Sequence, residues 1–164
     1  MKNTVKLLAI LLVAVTVIAT FTSCFEPQDK VFESNEMKIT LTDEFKKQNE
    51  NNMEVYASND LVVMIIREDK STFAEVNLDP NMTLKQYADI IAKGISTPPT
   101  IKEDNGLIYF EFINSVDNVD YKYFACVFVS EEAFWLVQFG TTVEKYSANR
   151  EDIVKYAKTI TIAE

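Results

Sequence analysis

The sequence predicts an α+β domain with helices packed on both faces of a central antiparallel sheet, an α/β/α sandwich. Three runs rich in aromatic and β-branched residues follow one another at residues 107–113, 121–129 and 134–139, with short turn-forming links between them. Both alternating sets of side chains in these runs are apolar, whereas a sheet wetted on one face alternates polar with apolar residues. We therefore expect helices to cover the middle strands on both sides.

The first 23 residues have the form of a signal peptide. Lys2 and Lys6 give it a positive start, an apolar run of 14 residues follows at 7–20, and Cys24 comes directly after two small residues. This arrangement resembles the lipobox of bacterial lipoproteins, in which the cysteine receives a diacylglycerol and becomes the mature N-terminus. The resemblance implies a lipid on Cys24 that anchors the protein at the extracytoplasmic face of the cell membrane.

Two other interpretations of the N-terminal segment stay open. It could be an uncleaved anchor, or an ordinary signal peptide that is cleaved beside an unrelated cysteine. In the lipoprotein interpretation, residues 24–30 form a short tether that spans at most about 25 Å. Residues 31–164 are then long enough for one domain with a core of its own.

The charge of the chain bears on its partners. There are 16 basic and 25 acidic residues, and without Lys2 and Lys6 the remaining chain has 14 basic residues and a formal charge of −11. So acidic a domain binds nucleic acid poorly and is repelled by anionic lipid headgroups. We expect no nucleic-acid partner, and we expect lipid rather than charge to hold the domain at the membrane.

The other predicted elements alternate strands with short helices. The strands are predicted at residues 37–41, 53–57 and 61–66, with helices at 71–75, after Thr83 and at about 149–158, and an edge strand at 159–162. Thr83 and Gln86 have the spacing of a capping box, as do Thr72 and Glu75, and Gly94 can end the second helix.

This order of elements resembles the PsbP-like fold over residues 31–162. The resemblance rests on the opening strand with its turn and aromatic residue (39–45), on the helix start at 83–88, and on the aromatic meander that leads into a C-terminal helix. It implies a central antiparallel sheet with helices on both sides. Known members mostly bind or assemble other proteins, so the resemblance also implies a non-catalytic role.

Several kinds of chemistry are excluded by composition. The chain has no histidine, which removes Ser-His-Asp and Cys-His catalysis and imidazole zinc sites. Its three glycines cannot form a glycine-rich phosphate-binding loop. Cys126 lies in an apolar strand, where a buried structural thiol is expected rather than a nucleophile. We therefore predict that the chain is not an enzyme and has no cofactor.

Calcium is the inorganic ligand that the sequence suggests most directly. Asp117, Asn118 and Asp120 place three oxygen-bearing side chains in one turn, although this turn lacks the glycine and the ligand spacing of an EF-hand loop. A hairpin turn rich in Asx residues is the favoured interpretation, and no metal site is predicted.

Aromatic residues are the candidates for a binding surface. Tyr121, Trp135 and Tyr56 could contact a ligand or a protein partner, although strand aromatics more often pack in a core. Of the three, Tyr121 is expected to be the most exposed. The sequence thus favours a membrane-anchored extracytoplasmic lipoprotein that binds an unidentified protein through a sheet edge or a helix face. The alternative is a small-molecule or ion-binding accessory lipoprotein for transport or sensing.

Overall fold

The computed structural model describes residues 26–34, 36–50 and 53–163. The predicted signal peptide (1–23) and Cys24 lie outside these residues. Ten strands, two α-helices and one 3₁₀ helix (Lys70–Val76) form the described fold. They are β1 (Asp29–Ser34), β2 (Met37–Thr42), β3 (Lys46–Glu50), β4 (Met53–Ala57), β5 (Val62–Asp69), α1 (Leu84–Lys93), β6 (Lys102–Asp104), β7 (Leu107–Val116), β8 (Val119–Val129), β9 (Ala133–Thr142), α2 (Val143–Ala157) and β10 (Thr161–Ile162).

The strands form two antiparallel sheets. The large sheet has seven strands in the order β3-β4-β5-β9-β8-β7-β6, and the small sheet has three in the order β1-β2-β10. Every neighbouring pair is antiparallel. The three strands predicted from the aromatic runs are β7, β8 and β9, so the predicted meander is confirmed.

Two tight turns set the register at one edge of the large sheet. Asn105 and Gly106 join β6 to β7 with φ angles of 50° and 79°, and Asp117 and Asn118 join β7 to β8 with φ angles of 49° and 64°. Positive φ at both central residues is the signature of a type I′ turn, whose twist matches that of the strands it joins. Each turn therefore closes a hairpin with a two-residue loop.

The first face of the large sheet packs against β2 and α2. The buried side chains of this cluster are almost all apolar and come from both sheets and the helix. They include Met37, Ile39, Leu41, Val63, Ile65, Phe124, Cys126, Trp135, Val137, Phe139, Ile153 and Ala157.

The second face packs against the 3₁₀ helix and α1. Stacked aromatic rings connect the layers here, because the ring of Phe134 on β9 lies 5.5 Å from that of Phe73 and 4.5 Å from that of Tyr87. The rest of this buried cluster includes Met64, Ala88, Ile91, Phe110, Phe112, Tyr123, Ala125, Val127 and Leu136.

The two clusters confirm that the middle strands are apolar on both faces. The predicted α/β/α sandwich is not confirmed, because a second sheet (β1-β2-β10) covers the first face together with α2. β1 was not predicted from the sequence, and it begins inside the predicted tether. Asp29–Ser34 is a polar segment with one buried residue, and it becomes a strand by pairing with β2.

The helices agree with the prediction to different degrees. The capping box of α1 is confirmed, since Gln86 N donates to Thr83 Oγ1 (3.2 Å) and Thr83 N donates to Gln86 Oε1 (2.7 Å). The capping box at Thr72 is wrong, because this residue lies inside the 3₁₀ helix and donates its hydroxyl to the Asp69 carbonyl. The last helix begins at Val143, six residues before the predicted start.

Candidate functional site

Strand β7 is only partly covered by the strand beside it. β7 has ten residues, and β6 pairs with three of them, from Leu107 to Tyr109. β8 pairs with β7 from Ile108 to Val116. From Glu111 onward, β7 therefore has a partner on one side only among the described strands.

The two hairpins determine which backbone groups face the uncovered side. In a two-residue hairpin the closing pair exchanges hydrogen bonds, so Leu107 directs its N–H and C=O toward β6. Because backbone groups alternate in direction along a strand, the N–H and C=O groups of Glu111, Ile113 and Ser115 also point to the side of β7 on which β6 lies. The other hairpin agrees, because its closing pair directs Val116 toward β8.

These outward groups have no partner in the part of the chain that the structure describes. The β6 ladder ends at Tyr109, and no backbone or side-chain hydrogen bond outside the ladders reaches the main chain of Glu111, Ile113 or Ser115. Six backbone donors and acceptors are therefore available along one stretch of edge.

Two prolines lie shortly before the start of β6. Pro98 and Pro99 precede β6, and a proline has no N–H to donate to a ladder. Residues 97–100 are not part of the β6 ladder, and a groove of about 550 Å³ lies between them and β7. Its lining residues come from this segment and three strands: Thr97, Pro98, Pro99, Thr100, Lys102, Glu111, Phe112, Ile113 and Lys122.

A charged cluster forms one wall of the groove. The carboxylate of Glu111 on β7 has a side chain only 14% exposed, and it receives the guanidinium of Arg150 on α2 at 3.0 and 3.1 Å. The ammonium of Lys122 on β8 lies 3.5 Å from its second oxygen. Burial acts to raise the pKa of Glu111, but the hydrogen bond from Arg150 and the charges of Arg150, Lys102 and Lys122 together lower it.

The balance of charge in this cluster is positive. Arg150 and Lys122 lie within 3.5 Å of the Glu111 carboxylate and Lys102 lines the same groove, in a domain whose formal charge beyond the N-terminal segment is −11. Glu111 stays ionised at neutral pH because its pKa is lowered, so it neutralises one of the three. The groove therefore presents an excess of positive charge on an otherwise acidic protein.

Tyr146 supports the cluster from α2. The ammonium of Lys122 lies 4.3 Å from the centre of the Tyr146 ring, within the range of a cation–π contact. The tyrosine is 3% exposed, and burial raises the pKa of its hydroxyl. The neighbouring Glu111 carboxylate also acts to raise that pKa. The ring therefore positions the lysine and carries no charge of its own.

The structure separates the three aromatic residues that the sequence suggested as a binding surface. Trp135 and Tyr56 are each 1% exposed and belong to the cluster on the first face, so neither offers surface to a partner. Tyr121 is half-buried on the second face of the large sheet, where the centre of its ring lies 6.5 Å from that of Tyr123. Trp135 and Tyr56 are therefore core residues, because both side chains point from their strands into the buried cluster.

Two other sequence predictions can be placed in the fold. Cys126 is fully buried, its thiol lies 3.6 Å from the Val137 carbonyl, and burial raises its pKa, so it remains a neutral thiol. Asp117 and Asn118 form the type I′ turn, and Asp120 accepts a hydrogen bond from the Ser115 hydroxyl. Within the described ranges, no three acidic or cysteine side chains are grouped as metal ligands.

The groove residues were not predicted, although two signals in the sequence pointed to them. Glu111 is the one charged residue inside the apolar run 107–113. The Asn105-Gly106 pair is a strong hairpin signal. With Pro98 and Pro99 a few residues before that turn, it predicts a very short β6 and an open edge on β7.

Comparison with solved structures shows that the chain has a PsbP-like fold, as the sequence resemblance implied. The solution structure of cyanobacterial PsbP (CyanoP) from Synechocystis sp. PCC 6803 matches with a TM-score of 0.56 and 9% identity, over 88% of this chain and 98% of that chain. No family model matches the chain, and no curated protein matches it.

Two further structures are similar. A crystal structure from Bacteroides thetaiotaomicron has a TM-score of 0.59 and 9% identity over 84% of this chain, which spans about half (49%) of that protein. LpqN of Mycobacterium tuberculosis, which is involved in cell envelope biogenesis, has a TM-score of 0.45 and 14% identity, over 84% of this chain and 91% of that chain. At 9% identity, the likenesses to CyanoP and to the Bacteroides protein show the fold alone.

No helix within the described residues is long and apolar enough to cross a bilayer.

Proposed function

We propose that this chain is a membrane-anchored extracytoplasmic lipoprotein that acts as a non-catalytic protein-binding module. It takes up an extended segment of another protein as an additional strand beside β7. The observation that carries the proposal is the unpaired edge of Glu111, Ile113 and Ser115 beside a groove. Strand addition is a common way for proteins to bind peptides, with affinity coming from main-chain hydrogen bonds.

The energetics of the edge suit this role. An antiparallel strand placed beside Glu111, Ile113 and Ser115 would form about six main-chain hydrogen bonds, each with a net contribution of about 0.5–1.5 kcal/mol. The cost of ordering the incoming segment opposes this gain, so side-chain contacts in the groove decide the affinity.

The side chains of the groove can supply such contacts. Ile113 is 55% exposed and would be covered by a strand laid beside it. The groove volume of about 550 Å³ falls within the range of about 300–1,000 Å³ that is typical of ligand sites. Lys102, Lys122 and Glu111 add charged groups along the same wall.

The small-molecule alternative has less support. It would be favoured by a deep apolar pocket between the layers, but in the described residues both faces of the sheet are packed with clusters of buried apolar side chains. A cavity of about 220 Å³ between α2 and the β4–β5 turn is lined mainly by polar residues. A non-catalytic role fits the groove chemistry, because Glu111 is held ionised by cations and is poorly placed to move a proton near neutral pH.

Capture experiments with edge variants test the binding proposal. Ile113→Pro removes an outward N–H that the fold does not use, so partners that bind by strand addition should be lost while the domain stays folded. Lys85→Gln on α1 is the matched control, since this exposed residue lies outside the groove. If Ile113→Pro captures the same proteins as the parent chain, the proposed function is wrong.

The membrane anchor is tested separately. Cys24→Ser removes the proposed acceptor of lipid and should release the protein from the membrane fraction. Fractionation followed by immunoblotting measures the change. A variant that stays with the membrane to the same extent as the parent chain would show that another feature holds it there.

A further inference from the structure

We infer that the segment bound beside β7 ends there in a free C-terminal carboxylate, and that Lys102 and Lys122 recognise this carboxylate. The inference rests on the proposed function and names the chemistry of its partner. It follows from where β6 begins and from the charges around that position.

The path of the chain limits how far an added strand can extend. A strand beside Glu111, Ile113 and Ser115 lies in line with β6, whose ladder ends at the pair Lys102 and Tyr109. Continuing this register by two residues places Thr100 opposite Glu111, where the protein's own chain leaves the sheet. An incoming strand must therefore stop or turn outward at this level.

The direction of the strand decides which of its ends lies there. Every neighbouring pair in the large sheet is antiparallel. An incoming strand that is also antiparallel to β7 therefore runs in the same direction as β6. Its last residue then lies opposite Glu111, and earlier residues lie opposite Ile113 and Ser115. The end that meets the protein's own chain is the C-terminus.

The charges at this position select a carboxylate. Among the residues that line the groove, Lys102 and Lys122 are cations and Glu111 is the anion. Arg150 already binds Glu111 from α2 at 3.0 Å, so the positive charge of the two lysines is in excess at this position. A free carboxylate matches them, whereas the amino terminus of a parallel strand would be repelled. The acidic remainder of the domain counts for less, because charges are screened over about 8 Å at physiological ionic strength.

A second copy of this chain is the main competing occupant. Two β7 edges could pair antiparallel about a two-fold axis, but each would bring its own cationic cluster to the same interface. Like charges on both sides oppose that arrangement. An internal segment of a partner would satisfy the backbone but leave the excess positive charge without a counter-charge.

The experiment uses two random hexapeptide pools that differ only at the C-terminus. One pool ends in a free carboxylate and the other in a carboxamide, and each is captured on the full-length chain in detergent and quantified by mass spectrometry. A hydrogen bond to a charged group corresponds to a gain of about tenfold to a hundredfold in affinity, so the acid pool should be enriched by that factor. The enrichment should fall as sodium chloride is raised from 50 to 500 mM.

Variants assign the effect to the lysines. Lys102→Gln and Lys122→Gln should each reduce the preference for the acid pool, while Lys85→Gln should leave it unchanged. A purely structural role of these lysines would lower the capture of both pools together and would not alter their ratio.

The outcomes separate this inference from the proposed function. Equal capture of both pools, abolished by Ile113→Pro, would retain strand addition and overturn the recognition of a carboxylate. Capture of neither pool, or capture that Ile113→Pro leaves intact, would overturn both. Concentration-dependent dimers in sedimentation experiments that Ile113→Pro abolishes would assign the edge to a second copy and overturn the carboxylate inference.

Discussion

The two edges of the large sheet are built differently. At one edge, β3 (Lys46–Glu50) contains no apolar residue, and Lys47 pairs with Glu54 at 2.5 Å while lying over the ring of Tyr56. At the other edge, the uncovered part of β7 has Ile113 at its centre, 55% exposed. The β3 edge strand itself carries lysines, whereas the uncovered part of β7 carries an exposed aliphatic side chain and the lysines near it, Lys102 and Lys122, lie on the adjacent strands β6 and β8.

The difference bears on how each edge meets other chains. Lysine on an edge strand discourages pairing, because an incoming strand would have to desolvate its charge. A long edge without such protection is a site for pairing, either with a partner or with another copy. The contrast therefore supports binding at the β7 edge, while the overall negative charge of the domain limits unwanted self-association.

The largest effect is expected from proline inside β7. Asn114 directs its N–H toward β8, where it pairs with Tyr121, so Asn114→Pro leaves the Tyr121 carbonyl unpaired. We expect a loss of about 1–3 kcal/mol in the free energy of unfolding, measured by urea denaturation. Ile113→Pro should lose less than about 1 kcal/mol, because its N–H faces the open edge. Equal losses in the two variants would contradict the assigned alternation.

A lysine placed on the open edge of β7 should discourage strand pairing there, as the lysines of β3 do at the other edge. Ile113→Lys should weaken binding of the hexapeptide pools by more than about tenfold. The free energy of unfolding should stay within about 0.5 kcal/mol of the parent, because the side chain is mainly exposed. Binding that survives this change would show that partners do not approach along β7.

The charged wall of the groove should make a pH-dependent contribution to stability. The pKa of Glu111 is lowered in the fold, so its contribution is present above the unfolded carboxyl pKa of about 4.3 and is lost as the pH falls through the lower folded value. Glu111→Gln lacks this contribution. The difference in Tm between the parent and the variant should therefore shrink as the pH falls below about 4, and a difference that does not change with pH would contradict this account.

The smallest effect is expected at the protected edge. Lys47→Ile should increase self-association at high protein concentration, measured by sedimentation velocity, because it removes one of the charges that discourage pairing. Lys85→Ile adds the same side chain on α1 and serves as the control. If both variants associate equally, general hydrophobicity rather than the β3 edge is responsible.

Local sequence signals predicted much of the fold. The meander was visible in the aromatic and β-branched runs of β7, β8 and β9, and the start of α1 was visible in the spacing of Thr83 and Gln86. These signals are local, because they depend on residues a few positions apart.

The elements that the sequence did not reveal depend on neighbours in space. β3 and β6 are short and polar, and each forms because the adjacent strand and a turn place it at a sheet edge. Residues of the site come from distant segments, since Arg150 on α2 contacts Glu111 from 39 positions away. No local pattern encodes that contact.

Amide hydrogen exchange along β7 tests the central claim most directly. We predict that the amides of Glu111, Ile113 and Ser115 exchange quickly, while those of Phe112 and Asn114, which face β8, are protected. Adding the captured acid peptides should slow exchange at the three outward amides. Uniform protection along the strand without peptide, or protection in the opposite alternation, would contradict the account of an open edge.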